Sequence, residues 1–455
     1  MAFIDMRSFI DALERAGDLI RIRQGVQPRH EIAAYIRKTS DTAGPALLFE
    51  NVSGSSMPVA GGLFAVRRRA ERSLDASPNQ AVDVYLRALE RPVPTRLVGS
   101  GPCKDVIRRD AAADLTDFPV PTYCALDSGP FITAAVAISK DPDDGGKNAS
   151  IYRFEVKGPR RLGVLAEPPH HLGIHHQKAE ARGEPLEVAL ALGVSPTVLM
   201  ATQWEAPYGV DELSLAGALQ GAPVDVVKCE TVELEVPANA EIVIEGRILP
   251  GVREPEGPFG EYTGYYTPAY PKPVMEVTAI THRDHPIFLA MLTGEPTTEN
   301  HVLKMIPMEA SCFALLKSRF PGVKAVHFPG AGGTGLMGVV ALKQRNRHEA
   351  RSLLTMMLGS QGNKIVVVVD EDVDIFDMEK VMWAICTRCR PDQDLIVLPR
   401  MMGWQLDPSA PQIGTYSVLG IDATRPFGEK FDAVAHVPGV EDVPDLNAPL
   451  GRHSR

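Results

Sequence analysis

The chain has 455 residues, of which 44% are hydrophobic, so it is long enough to form two to four globular domains. Its formal net charge of −10 argues against a nucleic-acid partner, because such proteins present a basic surface. The longest apolar runs, such as IVVVV at 365–369, are far shorter than the roughly 20 residues of a membrane span, and no targeting segment is recognisable at the N-terminus. We therefore expect a cytoplasmic protein with no membrane partner.

The N-terminal part reads as an α/β domain. Residues 5–22 place Phe9, Ile10, Leu13 and Ile20 at helical spacing, and a second helix is predicted to open after Pro28. We place this domain at residues 1–105.

The middle of the chain is rich in predicted strands. Alternating or continuous apolar segments separated by turn residues predict strands at FITAAVAISKD, ASIYRFEVKG, RRLGVLAE, VDVVKCETVELEVP, AEIVIEGRIL and PVMEVTAITHR. Residues 106–295 are therefore expected to form a β-barrel or sandwich with inserted helices.

The last part again alternates a helix with strands. The helix is MEASCFALLKSRF, and the strands are KAVHF, GVVALK and KIVVVVDEDVD. This pattern predicts a second α/β domain over residues 296–455, ending in a polar, proline-rich tail after 440.

Two motifs have simple structural explanations. The segment GAGGTG at 330–335 matches the dinucleotide fingerprint G-x-G-x-x-G, but a β-like sequence follows it instead of the required helix, so we favour a glycine-rich connection between strands. Cys386 and Cys389 form a C-x-x-C pair with no second pair or spaced histidines. Since the six cysteines are scattered, we expect reduced thiols, with zinc or redox chemistry at that pair as the less favoured alternative.

Four histidines cluster at positions 170, 171, 175 and 176. His171 and His175 are spaced i, i+4 on a predicted helix, which would put them on one face. No H-E-x-x-H motif accompanies them, so a surface pair is the favoured interpretation and metal binding by a member of the cluster is the alternative.

The segment REPEGPFGEYTGYY at 253–266 places Glu256 and Glu261 on either side of a glycine–proline turn. The turn residues can hold both carboxylates, and nearby aromatic side chains can provide an apolar wall: Phe259, Tyr262, Tyr265 and Tyr266. Such surroundings can keep one carboxyl protonated while an arginine keeps the other ionised, which separates an acid from a base. The alternative is an ordinary surface turn.

Residues 253–265, REPEGPFGEYTGY, closely resemble the signature loop of the UbiD-like family of reversible decarboxylases, which use prenylated FMN. Further segments resemble the family in family order: DMRSFIDALERAGDLIRI at 5–22, NASIYR at 148–153, PHHLGI at 169–174, YGVDELSLAGAL at 208–219 and DEDVDIFDMEKVMWAICTRCRPDQD at 370–394. The resemblance covers nearly the whole chain. It implies an N-terminal α/β domain (1–105), a central split β-barrel that carries the flavin (106–295) and a C-terminal α/β oligomerisation domain (296–455).

The resemblance also implies roles for individual residues. Arg153 would bind the substrate carboxylate and pair with Glu256, whereas Glu261 would be the proton donor. The implied ligands of a divalent ion, Mn²⁺ or Mg²⁺, are Asn148, His171 and Glu212. A potassium ion is a further candidate cofactor. His175 and His176 are left as helix surface.

Other positions match cofactor or substrate contacts of the family. Cofactor contacts are implied for Asn148, Ser150, Ile151, Tyr152, Arg153, His170, His171, Gln203, Trp204 and Glu212, with Lys364 as the candidate phosphate-binding lysine. The substrate pocket would be lined by Asn300, Lys304, Trp404 and Leu406. Polar groups at Asn300 and Lys304 favour a hydroxylated or heteroaromatic acid, unless Lys304 points away along its helix.

The resemblance therefore implies a reversible decarboxylase of an aromatic or heteroaromatic, α,β-unsaturated carboxylic acid. Its partners would be this acid, CO2, a flavin prenyltransferase that supplies the cofactor, and further copies of the chain in a homodimer or homohexamer. Two alternatives stay open: a conventional FMN oxidoreductase, and a non-catalytic subunit of a carboxylase assembly. Neither would need Arg153, Glu256 and Glu261 together.

Overall fold

The structure is a computed structural model that describes residues 3–360, 362–410 and 414–443. Helices and short strands alternate in its N-terminal part, as predicted. The elements are α1 (Met6–Arg15), β1 (Leu19–Ile22), α2 (Glu31–Asp41), β2 (Ala46–Phe49), β3 (Val59–Gly61), α3 (Arg67–Ser73), α4 (Ala81–Glu90) and β4 (Arg96–Leu97).

The first helix is shorter than its apolar spacing predicted. Asp5 caps α1 by accepting a 2.9 Å hydrogen bond from the backbone N–H of Ser8, and the apolar face of the helix is buried. The helix ends at Arg15, and Gly17 follows with a positive φ of 69° that suits a residue without a Cβ. Ile20 consequently lies in β1, and its assignment to the helical pattern was wrong.

Strands dominate the middle of the chain. The elements are β5 (Val106–Arg109), β6 (Phe131–Lys140), β7 (Lys147–Gly158), β8 (Arg161–Val164), α5 (His171–Ala181), β9 (Leu186–Leu192), α6 (Pro196–Ala201), α7 (Glu212–Gln220), β10 (Asp225–Lys228), β11 (Glu235–Pro237), β12 (Ile242–Glu256), β13 (Phe259–Gly260), β14 (Tyr266–Thr267), β15 (Tyr270–His282) and β16 (Phe288–Ala290).

Six of these strands close into an antiparallel barrel in the order β12, β9, β6, β7, β8, β15 and back to β12. Closure pairs each of the six strands on both sides, so the barrel has no open edge. A barrel, and not a sandwich, is therefore the outcome of the two predicted possibilities. The strand β7 carries Arg153, and β12 ends at Glu256.

Strands from the middle of the chain also complete sheets with N-terminal strands. The first sheet has the order β1, β2, β3, β16, so its last strand comes from beyond the barrel. A second sheet joins β4 in parallel to β10, which pairs in turn with β11. The limits predicted at 105/106 and 295/296 stay predictions, and these two sheets combine strands from both sides of the first limit only.

The C-terminal part forms one mixed five-stranded sheet in the order β17, β18, β19, β21, β20. Its elements are α8 (Glu299–Arg319), β17 (Val323–His327), β18 (Met337–Leu342), α9 (Glu349–Leu358), β19 (Ile365–Asp370), α10 (Met378–Arg388), β20 (Leu395–Met402) and β21 (Thr415–Ala423). Residues 330–335 connect β17 to β18 without a following helix, which confirms the structural explanation of GAGGTG. Most of the predicted polar tail lies outside the described residues.

Membrane-spanning helices were not predicted. Among the described residues, no helix is both long enough and apolar enough to cross a bilayer.

Candidate active site

Arg153 projects from β7 and meets both glutamates of the 253–266 segment. Its Nε and Nη2 donate to Oε1 and Oε2 of Glu256 at 2.9 and 2.8 Å, and its Nη1 donates to Oε1 of Glu261. The three residues are 8%, 1% and 8% exposed. The structure thus brings together the three side chains for which catalysis was predicted, and one guanidinium contacts both carboxylates.

The electrostatics of this group favour a charged arginine. Burial alone would lower the pKa of Arg153, but the facing carboxylates of Glu261 and Glu256 outweigh it and raise that pKa. The guanidinium also lies 4.9 Å from the ring centroid of Phe259, which forms part of the predicted apolar wall, whereas Tyr265 and Tyr266 are exposed and their assignment to that wall was wrong. Phe259 is in turn fixed against Phe131, with 4.4 Å between ring centroids.

The turn between the two glutamates is tightly shaped. Gly257 takes a φ of +90°, a left-handed conformation that favours glycine and turns the chain away from the end of β12. At Gly260, a Cβ would lie only 2.7 Å from Sγ of Cys124. Glu261 then accepts a 3.2 Å hydrogen bond at Oε2 from the backbone N–H of Tyr262. The segment is therefore held in place and is not an ordinary surface turn.

Two further carboxylates, the half-buried Asp127 and the buried Glu155, touch this segment, and the sequence analysis did not single them out. Glu155 accepts from the N–H of Gly257 at 3.0 Å, and Asp127 accepts from the N–H of Gly260 at 2.9 Å. A signal was available for Glu155 alone: it follows Arg153 by two residues in a predicted strand, which puts both side chains on one face.

Two of the three predicted metal ligands adjoin each other. Glu212, at the start of α7, accepts a 2.8 Å hydrogen bond from the N–H of Ala149, next to Asn148 in β7. Burial raises the pKa of Glu212 to about 7, and only that N–H and its own backbone oppose the shift. The side-chain nitrogen of Asn148 is buried without a partner among the described residues. A buried carboxylate beside an unsatisfied amide fits a cation site.

His171, the third predicted ligand, is the first residue of α5, and its ring lies 5.1 Å from the ring of Tyr208. Burial lowers its pKa, so the neutral imidazole that a metal requires is favoured. No group of three or more His, Cys, Asp or Glu side chains within the described residues is arranged to hold a metal ion. The predicted ligand set contains only two side chains of these four types, because its third ligand is Asn148.

The assignment of His175 and His176 to the helix surface was wrong. They are only 2% and 4% exposed, because α5 packs its first turns against the barrel. Nδ1 of His175 lies 2.9 Å from Oγ of Ser139 in β6, and burial lowers the pKa of this histidine to about 4. Both histidines therefore serve the packing of α5.

The remaining predicted flavin contacts lie on β7, directly before α5 and directly after α6. Ser150, Ile151 and Tyr152 are half-buried residues of β7, and the Tyr152 ring meets the ring of His170 edge-on at 6.2 Å. Gln203 and Trp204 follow α6. A cavity of about 260 Å³ lies beside Trp204 between α4 and α7, and Arg153 and the two loop glutamates do not line it.

Lys364, the predicted phosphate-binding lysine, lies just before β19 in the C-terminal part. Its Nζ is 2.6 Å from Oδ2 of Asp407 and 2.5 Å from Oγ of Ser409. A carboxylate therefore already neutralises this lysine, and a role toward phosphate stays a prediction.

The predicted pocket residues come from α8 and from the segment after β20. Nζ of Lys304 lies 4.3 Å from the ring centroid of Trp404 and 3.7 Å from a carboxylate oxygen of Glu205. Tyr262 packs edge-on against Trp404 at 5.7 Å, which links this region to the glutamate segment. Lys304 therefore does not simply point away along its helix. The other two members, Asn300 and Leu406, are half-buried.

Three family models match successive parts of the chain. They describe the N-terminal domain of 3-octaprenyl-4-hydroxybenzoate carboxy-lyase at residues 10–89, its Rift-related domain at 96–296 and its C-terminal domain at 301–423. The chain belongs to the UbiD family of decarboxylases, as the signature loop indicated, and it is a carboxy-lyase.

Named relatives agree with this assignment. The chain is 35% identical to the anhydromevalonate phosphate decarboxylase of Methanothermobacter thermautotrophicus, over 94% of this chain and 99% of the relative. It is 33% identical to the phenolic acid decarboxylase of Bacillus subtilis, over 94% and 93%. The protein HmfF is a UbiD-class enzyme from Pelotomaculum thermopropionicum. Its FMN complex has a TM-score of 0.91 and 43% identity over 97% of this chain and 99% of HmfF.

An evolved dimeric form of HmfF, bound to prenylated FMN, has a TM-score of 0.89 and 41% identity, over 98% of this chain and 100% of that structure. The three-part fold expected from the resemblance, with a closed barrel in its centre, is thus confirmed as a UbiD fold.

Proposed function

We propose that this decarboxylase acts reversibly and without net oxidation on an aromatic or heteroaromatic, α,β-unsaturated carboxylic acid, with prenylated FMN as its cofactor. The carrying observation is the buried group of Arg153, Glu256 and Glu261 on a UbiD barrel. The complexes of HmfF with FMN and prenylated FMN support the cofactor, and the phenolic acid decarboxylase supports the substrate class.

The proposed reaction needs a cofactor, because side chains alone are insufficient for it. Loss of CO2 from an sp² carbon leaves an electron pair that no ordinary side chain stabilises. When bound, prenylated FMN supplies the electron sink for that pair. The chain's own residues are left with three tasks: binding the carboxylate, excluding water and delivering a proton to the carbon.

Arg153 would perform the first task. Its guanidinium is buried and charged, and carboxylates are its natural partners. Because Nη1 contacts Glu261 while Nε and Nη2 hold Glu256, an incoming carboxylate competes with Glu261 and leaves the pair with Glu256 intact. Glu256 would also temper the grip of Arg153 on the substrate, since ground-state binding that is too strong would not accelerate the reaction.

Glu261 would perform the proton transfer. An ionised carboxylate that accepts from a guanidinium has no proton to give. When the substrate's carboxylate takes its place at Nη1, Glu261 is released from the cation, can take up a proton from water and can deliver that proton to the carbon after CO2 departs. In this proposal, Arg153 contacts both glutamates so that the substrate carboxylate can replace Glu261 while Glu256 stays bound.

Two further groups of residues would hold the metal ion and the cofactor. We propose that Asn148, His171 and Glu212 hold Mn²⁺ or Mg²⁺ at the phosphate of the cofactor, with their oxygen and imidazole donors suited to such ions. Ser150, Ile151, Tyr152, His170, Gln203 and Trp204 would contact the flavin. Supporting this, the buried Glu212 carboxylate forms no ion pair with a cationic side chain in the described part of the chain.

The pocket residues favour a substrate that carries a polar group. Lys304 is a cation that is only partly exposed and lies over Trp404, and Asn300 accepts a 2.6 Å hydrogen bond from Oγ1 of Thr298. A purely apolar ring would remove water from these groups without replacing its hydrogen bonds. We therefore propose a hydroxylated or heteroaromatic acid.

We further propose that copies of the chain associate through the C-terminal domain in a dimer or hexamer. Large apolar side chains are exposed there on α8, α10 and β20: Leu315, Met382, Trp383, Val397 and Met402. Exposed apolar surface of this kind marks contacts between proteins. Light scattering of the purified chain tests this part of the proposal.

The decisive experiment uses protein co-expressed with a flavin prenyltransferase. We expect flavin absorbance, the mass of prenylated FMN after denaturation, and CO2 release from aromatic acids. Unmodified FMN alone, with an active prenyltransferase, would favour a conventional oxidoreductase. A folded protein without any flavin would favour a non-catalytic subunit.

A further inference from the structure

The segment between the two loop glutamates is held at both ends by side chains outside it. Glu155, only 4% exposed, accepts from the N–H of Gly257 at 3.0 Å and from Oγ of Ser128 at 2.7 Å. Nζ of Lys157 lies 2.7 Å from the same carboxylate and also donates to the carbonyl of Pro255. The peptide groups on both sides of Glu256 are therefore attached to this one strand.

The strand β7 explains how these contacts arise. Arg153, Glu155 and Lys157 alternate along it, so their side chains share one face. Arg153 reaches the carboxylate of Glu256, while Glu155 and Lys157 reach the backbone that carries it. The position of Glu256 is thus fixed relative to Arg153 by contacts that all start from one rigid element.

Asp127 holds the other end of the segment. Its Oδ1 accepts from the N–H of Gly260 at 2.9 Å, directly before Glu261. Its Oδ2 accepts from the N–H groups of Cys124 and Tyr123 at 2.7 and 3.2 Å, which anchors the aspartate in its own loop. The next residue, Ser128, donates its N–H to the carbonyl of Pro258 at 3.0 Å.

The balance of charge in this region also depends on Glu155. Two cations, Arg153 and Lys157, lie beside Glu155, Glu256 and Glu261. Because Glu155 neutralises Lys157, Arg153 is left for the two loop glutamates. Removal of the Glu155 carboxylate would free Lys157 to compete with Arg153 for a loop carboxylate.

We propose that Glu155 and Asp127 are positioning residues that fix the two ends of segment 257–260 and so keep Glu256 and Glu261 in separate places around Arg153. The expected effect on turnover rests on the proposed function. The attachment of the segment itself can be measured without turnover.

The test compares Glu155→Ala, Glu155→Gln and Asp127→Ala in the full chain. Matched controls lie outside the measured peptides: Arg161→Gln, which alters a partly exposed pair with Glu254 on the same barrel, and Asp117→Asn, which alters a partly exposed pair with Arg108. Backbone hydrogen exchange of peptides covering 254–262 is the first readout. The second is kcat and KM of the cofactor-loaded enzyme.

We expect exchange in 254–262 to become about tenfold faster in both alanine variants, because each loses a hydrogen bond to that segment. We expect kcat to fall about 100-fold with KM nearly unchanged, since a displacement of about 1 Å has this effect on positioned groups. Glu155→Gln keeps an acceptor for Gly257 and should recover most of the protection. The controls should match the unaltered protein.

Unchanged exchange in both alanine variants would overturn the proposal, as would equal exchange in Glu155→Gln and Glu155→Ala. If Glu155→Ala does not fold, Glu155→Gln and Ser128→Ala decide the question at that end by the same exchange measurement. Loaded protein that releases no CO2 from any aromatic acid would overturn the proposed function instead. The exchange result would then still decide whether the segment is held as described.

Discussion

Arg153 and Glu256 form a bidentate pair, with hydrogen bonds of 2.9 and 2.8 Å between groups that 103 residues of chain separate. The pair joins the middle of one barrel strand to the end of another. Because both side chains are buried, neither can lose its partner without leaving an uncompensated charge. The pair therefore belongs to the candidate active site and also constrains the structure.

Arg153→Ala should abolish substrate turnover and lower the free energy of unfolding by about 3–5 kcal/mol, the usual effect of breaking a buried ion pair. The measurement is denaturant unfolding together with CO2 release. Arg161→Ala, which removes the exposed pair with Glu254, should change stability by about 1 kcal/mol or less. Normal conversion by Arg153→Ala would rule out Arg153 as the carboxylate anchor.

Glu261→Gln should keep the fold and the bound cofactor but slow turnover by about 10²–10⁴-fold, the range expected when a general acid is removed. Rapid-mixing measurements of CO2 release, beside a substrate-binding titration, would separate chemistry from binding. Glu254→Gln, at a partly exposed position near the end of β12, is the control. Full turnover with Glu261→Gln would show that another group delivers the proton.

Local patterns predicted most of the fold. Alternating apolar residues located the barrel strands, and the glycines at 330–335 were correctly placed between strands because no helical sequence follows them. Ile20 was misplaced by a local feature, the end of α1 before Gly17, whereas other features depend on contacts that are distant in sequence. His175 was assigned to the surface because its partner Ser139 lies on another element, and β16 joins β3 across more than 200 residues.

The residues of the site were also predicted only in part. Turn residues and neighbouring aromatic side chains pointed to Glu256 and Glu261, and the family resemblance pointed to Arg153, but the sequence could not show that Arg153 contacts both glutamates. It also gave no sign of Asp127, since a carboxylate that accepts backbone N–H groups looks like any surface aspartate in a sequence. Such roles depend on the tertiary path of the chain.

Replacement of the proposed metal ligands should lower Mn²⁺ content. We expect Asn148→Ala, His171→Ala and Glu212→Ala each to weaken the ion's affinity by about tenfold or more, because each removes one of few protein ligands. Elemental analysis of purified protein, with flavin content measured in parallel, provides the test. His285→Ala is the control, since this histidine is largely exposed. Unaltered manganese in all three variants would place the ion elsewhere.

Lys304→Met should change substrate preference without abolishing activity. The thioether keeps the packing against Trp404 but removes the cation, so acids with a polar or anionic substituent should lose about 10-fold in kcat/KM relative to unsubstituted ones. A panel of paired aromatic acids measures this ratio. Lys304→Arg keeps the charge and serves as the control. An unchanged ratio in Lys304→Met would show that Lys304 does not contact the substrate.

Glu299 should make stability depend on pH. It is fully buried beside the N–H of Phe64, and burial raises its pKa from 4.5 to about 7, with Arg69 opposing part of the shift. Between these values the folded state keeps a proton that the unfolded state has released, so stability should fall by about 3 kcal/mol as pH rises from 4.5 to 7. Urea unfolding at several pH values measures this loss.

Glu299→Gln cannot ionise and should lack this part of the pH dependence. Glu295→Gln, at an exposed position of the preceding segment, should behave as the unaltered protein does. If Glu299→Gln and the unaltered protein lose stability in parallel over this pH range, the buried carboxyl is not the cause.

The strand β16 makes the barrel an insertion within the N-terminal sheet. The chain leaves that sheet after β3, builds the barrel and returns to pair with β3 from the other side. A fragment that ends near residue 105 would expose β3 as an unpaired edge, and an isolated barrel would lack the sheet that joins its two chain ends. The N-terminal sheet and the barrel should therefore fold together, and each should be less stable when produced without the other.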